Sequence, residues 1–260
     1  MSEDKKQWWT EAYEQMQELG YDYHYIDFAS AEKEIEFIER TLDLSKGNRV
    51  LDLGCGNGRH SILLAERGYQ VIGIDYSNSL LEMAKVEAGN RGLNLELRQQ
   101  DMLTLDENSL YDGVIILDGS FGIFTDSENE EVLKRVSKAL KPGGKLLLQS
   151  YNPYYMALNQ GRDAEVEGDR TFIRETSFDI ERGAVIDNII SLDNITGKYK
   201  RINTRYYRAY TIPELARISD KYSLGNLKIY GHDDEFCPKL ELFFDVQEDM
   251  VMYIILEKLS

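Results

Sequence analysis

The stretch from Arg49 to His60 constrains the fold of this chain more than any other segment. It opens with an apolar run over residues 50–53, which is typical of a strand buried on both faces. Glycines then occupy positions 54, 56 and 58, and residues 61–66 have a helical pattern. A glycine turn between a buried strand and a helix N-terminus lets backbone approach a ligand and leaves free N–H groups. The stretch therefore predicts a nucleotide-binding loop.

Strands and helices alternate after this loop, which indicates a parallel sheet with helices on both faces. The predicted strands cover residues 70–75, 95–100, 112–117 and 145–149.

The pattern changes after residue 150. Residues 171–179, 184–192 and 198–207 are rich in β-branched and aromatic side chains, with turns between them, and they predict an antiparallel meander. Because about 40 residues rarely bury a core of their own, we expect the meander to dock on the parallel sheet as a lid.

Composition and charge narrow the class of protein. Hydrophobic residues make up 42% of the 260, enough to bury a sizeable core. The formal net charge of −16 argues against a nucleic-acid partner. Cys55 and Cys237 form no metal-binding pattern, so no metal is expected. The polar N-terminus, and the lack of an apolar run of about 18 residues, predict a cytoplasmic chain without a membrane segment.

Three charged residues decide which nucleotide suits the loop. A dinucleotide site would use Asp75, about 20 residues after the loop, for a ribose, but its fingerprint requires Gly or Ala where this chain has Arg59. Asp52 would also bring a negative charge close to a pyrophosphate. A carboxylate at that position suits a ligand with a cationic end, such as an amino acid joined to a nucleoside through a sulfonium.

Five motifs in order resemble those of the class I S-adenosylmethionine-dependent methyltransferases, in particular the small-molecule branch. They are the loop Val-Leu-Asp-Leu-Gly-Cys-Gly-Asn-Gly at 50–58, Asp75 and Asp101 at two strand ends, Leu117-Asp118, and Leu-Lys-Pro-Gly-Gly-Lys at 140–145. The resemblance covers about residues 30–150. It implies an α/β fold with a Rossmann-like, doubly wound seven-stranded sheet, whose antiparallel last strand can be supplied by residues 250–256.

The chain then divides into four segments. They are an N-terminal helical and aromatic lid (1–28), an S-adenosylmethionine-binding core (29–150), the inserted β-meander lid (151–210) and a return to the core (211–260).

The resemblance also implies how S-adenosylmethionine is held, with S-adenosylhomocysteine as the product. Gly54 and Gly56 would pass close to its methionine part, with Asp52 near the amino group. Asp75 would accept hydrogen bonds from both ribose hydroxyls. Asp101 and Met102 would hold the adenine. The predicted cofactor-binding residues are Asp52, Gly54, Gly56, Asn57, Asp75, Tyr76, Asp101, Met102, Leu117, Trp9 and Tyr13.

The N-terminal aromatic residues allow two interpretations. Trp9, Tyr13, Tyr21, Tyr23 and Tyr25 can fold over the cofactor and face its sulfonium. Alternatively, residues 8–19 form an amphipathic helix whose rings belong to the core.

The acceptor site is less constrained by the sequence. Methyl transfer is an in-line displacement that requires a nucleophile roughly 3 Å from the methyl carbon, and water must be excluded. A base is needed only when the nucleophile is protonated. We predict a nitrogen or oxygen of a small metabolite as acceptor, with His232 as base and Tyr207 as a second catalytic residue. The predicted acceptor-binding residues are Asp118, Phe121, Tyr207, Tyr210 and His232.

Alternative functions stay open at this point. Residues 152–155, Asn-Pro-Tyr-Tyr, look like a signature of methyltransferases acting on bases or glutamine. They follow the fifth strand rather than the fourth and lack the second proline, which favours a loop break or helix start. A protein or RNA acceptor, an NAD-dependent oxidoreductase and a non-catalytic cofactor-binding module are the alternatives. The chain is predicted to bind a small molecule as a monomer or homodimer.

Overall fold

The computed structural model describes residues 8–19, 28–233 and 237–260, in which the chain forms two β-sheets and seven α-helices. The strands are β1 (Arg49–Leu53), β2 (Gln70–Asp75), β3 (Glu96–Gln99), β4 (Tyr111–Ile116), β5 (Leu140–Tyr151), β6 (Gly161–Glu167), β7 (Arg170–Asp179), β8 (Ala184–Asp193), β9 (Tyr199–Arg201), β10 (Arg205–Arg208), β11 (Leu224–His232), β12 (Pro238–Phe243) and β13 (Val251–Lys258). The helices are α1 (Trp9–Glu18), α2 (Phe28–Thr41), α3 (Arg59–Glu66), α4 (Asn78–Asn90), α5 (Asp126–Ala139), α6 (Pro153–Leu158) and α7 (Ile212–Asp220).

The larger sheet has the strand order β12-β11-β13-β5-β4-β1-β2-β3. Strands β3, β2, β1, β4 and β5 pair in parallel, whereas β13 is antiparallel to both β5 and β11. Side chains alternate across the sheet, so Val50 packs with α2 and α3 while Leu51 and Leu53 pack with α5 and α7. Both faces of the sheet are therefore covered, and the carboxyl ends of β1, β2 and β4 meet at one edge.

The smaller sheet is an antiparallel insertion between β5 and α7. Its order is β10-β8-β7-β6, with β9 also paired to β8. One face carries Phe172, Val185 and Tyr207, which pack with Trp8 of the N-terminal segment and Met156 of α6. We call this the inner face, and the opposite face of the same sheet the outer face.

The predicted α/β fold is confirmed, including the parallel strands and the antiparallel last strand β13. The sheet has one strand more than predicted, because β12 adds an eighth at the edge. Pro238 begins this strand and has no N–H to donate, so its sequence does not indicate a strand although an edge position tolerates it.

The structure also corrects three local predictions. The strand predicted over residues 145–149 is longer, because β5 extends over Leu140–Tyr151. The insertion has an additional strand, β6, before the predicted meander. The third predicted segment of the meander is divided into β9 and β10.

Candidate active site

A cavity lies at the carboxyl edge of β1, β2 and β4, directly above the glycine loop. Its volume free of protein atoms, including the part open to solvent, is about 890 Å³. The residues that line it are Trp9, Gly54, Cys55, Gly56, Asn57, Arg59, Asp75, Tyr76, Ser77, Leu80, Gln100, Asp101, Met102, Asp118, Ser120, Ile123 and Phe124. Eight of the eleven predicted cofactor-binding residues are therefore together in one cavity.

The glycine loop has the backbone that only glycine adopts easily. Gly54 and Gly56 have φ angles of 85° and 53°, in the left-handed region. A Cβ added to Gly54 would lie 2.6 Å from Ser120 Oγ and 2.8 Å from Met102 Cε, so a side chain there would collide with the cavity wall. A Cβ added to Gly56 would have its nearest neighbour 4.0 Å away, on Leu80. The space above Gly56 is therefore open, and a ligand can approach this backbone closely.

Asp75 ends β2 with its carboxylate held against the loop. Oδ2 accepts a hydrogen bond from Gly56 N–H at 2.8 Å, and Oδ1 accepts one from Ser77 N–H at 2.8 Å. Burial raises the pKa of Asp75 above its ordinary value, although these backbone donors act in the opposite direction. Each carboxylate oxygen can accept a second bond, so two ribose hydroxyls can be accommodated without displacing the backbone.

Asp101 and Met102 form the next part of the cavity. Asp101 Oδ1 accepts a hydrogen bond from Leu103 N–H at 2.8 Å, which caps a short 3₁₀ helix over Met102–Thr104. This cap fixes the direction of the carboxylate. Met102 is almost fully buried and presents an apolar surface of the kind on which a flat ring packs.

Arg59 and Asp118 face the cavity as an ion pair at 2.6 Å. Arg59 also lies 3.6 Å from Glu34 and donates to Ser30 Oγ at 3.2 Å. Burial acts to raise the pKa of Asp118, but the charges of Arg59 and His60 outweigh it, so this pKa lies below its usual range. Arg59 Nε is buried and has no hydrogen-bond partner among the described residues. The pair thus has unused donor capacity beside the cavity.

Asp118 itself has a constrained backbone. Its φ angle is 54°, in the left-handed region, and its N–H donates to Gln149 Oε1 at 2.6 Å. Gln149 Nε2 in turn donates to the hydroxyl of Tyr253 at 2.9 Å. These contacts hold the carboxylate at the mouth of the cavity, where about a third of the side chain is exposed.

Asp52 and Leu117 lie behind the cavity lining rather than in it. Asp52 is buried and accepts a hydrogen bond from Ser61 Oγ at 2.6 Å, and burial raises its pKa. Leu117 is buried in the core with Val50 and Ile115. Their predicted contact with the cofactor is therefore not made by a side chain on the cavity surface.

The N-terminal helix contributes one wall. Trp9 lines the cavity and packs edge-on against Phe124, with ring centroids 4.8 Å apart. Trp8 is buried and packs edge-on against Tyr207 at 5.1 Å. Trp8 therefore belongs to the core, whereas Trp9 lies at the cavity, where its contact with the cofactor stays a prediction. The side chain of Tyr13, and the predicted Tyr21, Tyr23 and Tyr25, lie outside the described residues.

A second, larger cavity adjoins the first and has a free volume of about 1640 Å³. We call it the groove. Ile123 and Phe124 line both cavities. The groove is lined by Gly122, Ile123, Phe124, Thr125, Asp126, Pro153, Tyr154, Ala157, Phe178, Ile180, Glu181, Arg182, Gly183, Ala184, Tyr206, Arg208, Ala209, Thr211 and Glu214. It therefore lies between the loop after β4, helix α6 and the inserted sheet.

Three of the predicted acceptor residues, Phe121, Tyr207 and Tyr210, do not line the groove. Along β10 the side chains alternate, so Tyr206 and Arg208 line the groove whereas Tyr207 is buried between Trp8 and Tyr151. Tyr210 is buried in the core, where its hydroxyl donates to Asp126, and Phe121 packs beside it. Of the predicted acceptor residues, Asp118 alone lines either cavity. Tyr207 packs beside the loop after β4, where its ring lies 3.4 Å from the position of a Cβ added to Gly119.

His232 does not have the free nitrogen that a base requires. Its Nδ1 lies 2.8 Å from the carbonyl oxygen of Asp233, to which it donates, and its Nε2 accepts the N–H of Met250 at 3.1 Å. The ring lies at the end of β11, lines neither cavity and is 7% exposed. Both ring nitrogens are therefore engaged by the backbone in this structure, and the role of His232 as a base stays a prediction.

Residues that the sequence did not single out complete the cavity. Ser77, Gln100, Ser120 and Phe124 line it. The signal that could have located them is their position, since Ser77 and Gln100 follow the ends of β2 and β3. Among the described residues, no group of three His, Cys, Asp or Glu side chains is placed to hold a metal ion, and no helix is long and apolar enough to cross a membrane.

Comparison with known proteins bears on the same region. The methyltransferase domain family matches residues 50–144. A ubiquinone biosynthesis O-methyltransferase from Coxiella burnetii is 33% identical over 123 residues, which cover 47% of this chain and 51% of that protein. The chain spans about half, or less, of the length of the curated relatives it matches.

Two solved structures share the fold over most of the chain. An S-adenosylmethionine-dependent methyltransferase from Clostridium acetobutylicum has a TM-score of 0.73 at 19% identity, covering 90% of this chain and 93% of that one. An amino pentose methyltransferase from Micromonospora echinaspora, solved with S-adenosylmethionine bound, has a TM-score of 0.66 at 18% identity, covering 95% and 96%.

Residues 50–144 are thus similar to the methyltransferase domain family, and the chain shares the fold of these two methyltransferases over most of its length. The second of them is solved with S-adenosylmethionine bound.

Proposed function

We propose that this protein transfers the methyl group of S-adenosylmethionine to a nitrogen or oxygen of a small molecule. The observation that carries the proposal is the cavity that unites the glycine loop, Asp75, Asp101 and the Arg59–Asp118 pair. The side chains that line this cavity suit the ribose, the adenine and the amino acid end of the cofactor. The neighbouring groove, which opens beside the same cavity, supplies room for the acceptor.

The nucleoside is held by the first two acids. Asp75 keeps acceptor capacity for the two ribose hydroxyls after binding Gly56 and Ser77 N–H. Asp101 accepts from the exocyclic amine of adenine, and Met102 packs on the ring. A ligand bound in this way has its sulfonium directed towards the backbone after β4, because the ribose end is fixed at β2 and the adenine end at β3.

The amino acid end of the cofactor suits the Arg59–Asp118 pair. This end carries one ammonium and one carboxylate, and the pair offers one charge of each sign. Arg59, with its unpartnered Nε, binds the carboxylate, while Asp118 attracts the ammonium. Asp52 lies behind this region, where its buried carboxylate accepts a hydrogen bond from Ser61.

The acceptor enters through the groove and reaches the methyl group past Ile123 and Phe124. The aromatic pair of Trp9 and Phe124 keeps water from the methyl group, which favours an in-line displacement. The transfer breaks the sulfur–carbon bond and forms a bond from carbon to the acceptor's lone pair, and S-adenosylhomocysteine leaves. A neutral amine needs no base on the protein for this step.

Small-molecule acceptors are favoured over macromolecules by the site and by the similar proteins. The groove is enclosed by α6 and by the inserted sheet, and several of its side chains are apolar or aromatic. The similar proteins described above include enzymes named for an amino pentose and for ubiquinone biosynthesis. The name of the ubiquinone biosynthesis enzyme specifies methyl transfer to oxygen.

A methyl-transfer screen tests the proposal. The full chain is incubated with methyl-labelled S-adenosylmethionine and separate pools of small amines, hydroxylated metabolites, protein and RNA. We expect label in the amine or hydroxyl pool. Label in protein or RNA alone would contradict the small-molecule assignment, and tight NAD(H) binding without S-adenosylmethionine binding would identify an oxidoreductase instead.

A further inference from the structure

The outer face of the inserted sheet carries a row of apolar side chains directed at solvent. We call Ala164, Val166, Ile173, Ile190, Leu192 and Tyr199 the outer patch. Val166 and Tyr199 are 69% and 74% exposed, and Ile173, Ile190 and Leu192 are half-buried. An antiparallel sheet with one face on a core normally presents polar residues on the other. The outer patch departs from that pattern over four neighbouring strands.

Strand register shows that these residues form one continuous surface. Ile173 pairs with Ala164 on one side and with Ile190 on the other, and Ile190 pairs in turn with the exposed Arg201, which borders the patch on β9. In the next row, Leu192 pairs with Tyr199 across the β8–β9 ladder, and Val166 lies opposite Thr171. Residues directly opposite each other in a ladder share a face, so the two rows are adjacent. Four strands of this kind span about 14 Å across the sheet.

The charges of β6 are arranged to leave this face apolar. Asp163, Glu165 and Glu167 lie opposite residues of the inner face, whereas Ala164 and Val166 alternate onto the outer face. Beside the patch, Arg162 and Glu175 neutralise each other at 2.9 Å. The acidic side chains of β6 are thus kept away from the outer patch. They also discourage another strand from pairing with the free edge of β6.

The distribution of charge over the whole chain points to a specific partner for the patch. Residues 161–210 contain nine basic and nine acidic side chains, so the formal net charge of −16 lies entirely outside this segment. Two copies of so acidic a chain repel each other at most orientations. They can approach through the inserted sheets, where the local charge is zero and apolar area is available.

We propose that the outer patch binds the outer patch of a second copy of this chain, in a two-fold symmetric dimer with the two sheets packed face to face. Such sheets pack about 10 Å apart, which allows side chains from both copies to interdigitate. An isologous contact uses the same patch twice, as this proposal requires. Because the patch is small for a stable interface, the dimer forms in a concentration-dependent way.

Sedimentation velocity of the full chain over a concentration series tests this dimer. The test variant is Val166→Glu/Tyr199→Glu, and the control is Leu158→Glu/Ile195→Glu. The control changes residues that are 80% and 75% exposed, adds the same charge and lies outside the patch. All four residues are exposed, so both variants should fold, which circular dichroism checks.

We expect the wild type and the control to shift from monomer to dimer as concentration rises. The test variant should reach the same fraction of dimer only at a concentration higher by about tenfold or more. The reason is that two-fold symmetry brings like charges together across the contact. A wild type that stays monomeric at the highest concentration would overturn the proposal. Equal weakening by both variants would also overturn it, since the effect would then come from net charge rather than from the patch.

Discussion

The cofactor cavity and the inserted sheet differ in the contacts that hold their polar side chains. In the cavity, polar groups such as Asp75 and Asp101 are held by backbone N–H groups at 2.8 Å. The inserted sheet presents mostly packing and paired charges, for example Asp187 between Arg174 and Arg205. Under the proposed function, the first region holds a cofactor of fixed structure and the second contributes to the site of an acceptor particular to this protein. Substitutions in each region should therefore have separate effects on cofactor binding and on acceptor turnover.

The largest effect is expected from filling the groove. Ala157→Trp places a large ring among its lining residues, so acceptor turnover should fall by about a hundredfold, because small misplacements of reacting groups cost this much. Cofactor affinity should stay unchanged, since Ala157 does not line the cofactor cavity. Leu158→Trp, one residue further along α6 and outside the groove, is the matched control. Equal loss in both variants would indicate damage to the helix rather than blocking of the groove.

The next effect concerns the cofactor alone. Asp75→Ala should weaken S-adenosylmethionine binding by about 1–3 kcal/mol, because the ribose hydroxyls lose their acceptors and Gly56 N–H loses its partner. Isothermal titration measures it, with Asp106→Ala as an exposed aspartate control. Unchanged affinity in Asp75→Ala would mean that the ribose is held elsewhere.

A smaller effect is expected at His232. His232→Ala leaves the N–H of Met250 without its acceptor, so the free energy of unfolding should fall by about 1–2 kcal/mol. The rate of methyl transfer per folded molecule should stay close to that of the wild type. A drop in rate well over tenfold, with stability unchanged, would identify His232 as the base.

The smallest effect concerns Asp52 and pH. Burial raises the pKa of Asp52, so the folded chain binds this proton more tightly than the unfolded chain does. The contribution of Asp52 to stability is therefore present at acid pH and is lost as pH rises through the raised pKa. Asp52→Asn keeps an acceptor for Ser61 and removes the charge, so it should stabilise the free protein at neutral pH and not at acid pH. Thermal melts across pH measure this; destabilisation at neutral pH would contradict it.

The two regions also differ in how much the sequence reveals. The cofactor site is predictable because its residues follow strand ends at fixed positions, as Asp75 and Asp101 do, and because a left-handed turn selects Gly54. The residues of the groove are not predictable in this way, because a shift of one residue along a strand moves the side chain to the other face of the sheet. The sequence does not distinguish Tyr207, which is buried, from Tyr206, which lines the groove. His232 accepts the N–H of Met250, a contact with the segment before β13 that no local pattern contains.

The most direct measurement is a calorimetric titration of the full chain with S-adenosylmethionine, S-adenosylhomocysteine and NAD(H), repeated with Asp75→Ala. We predict binding of the first two ligands to the wild type, weakened in Asp75→Ala, and no binding of NAD(H). Tight binding of NAD(H) with no binding of S-adenosylmethionine would contradict the methyltransferase function proposed for this cavity.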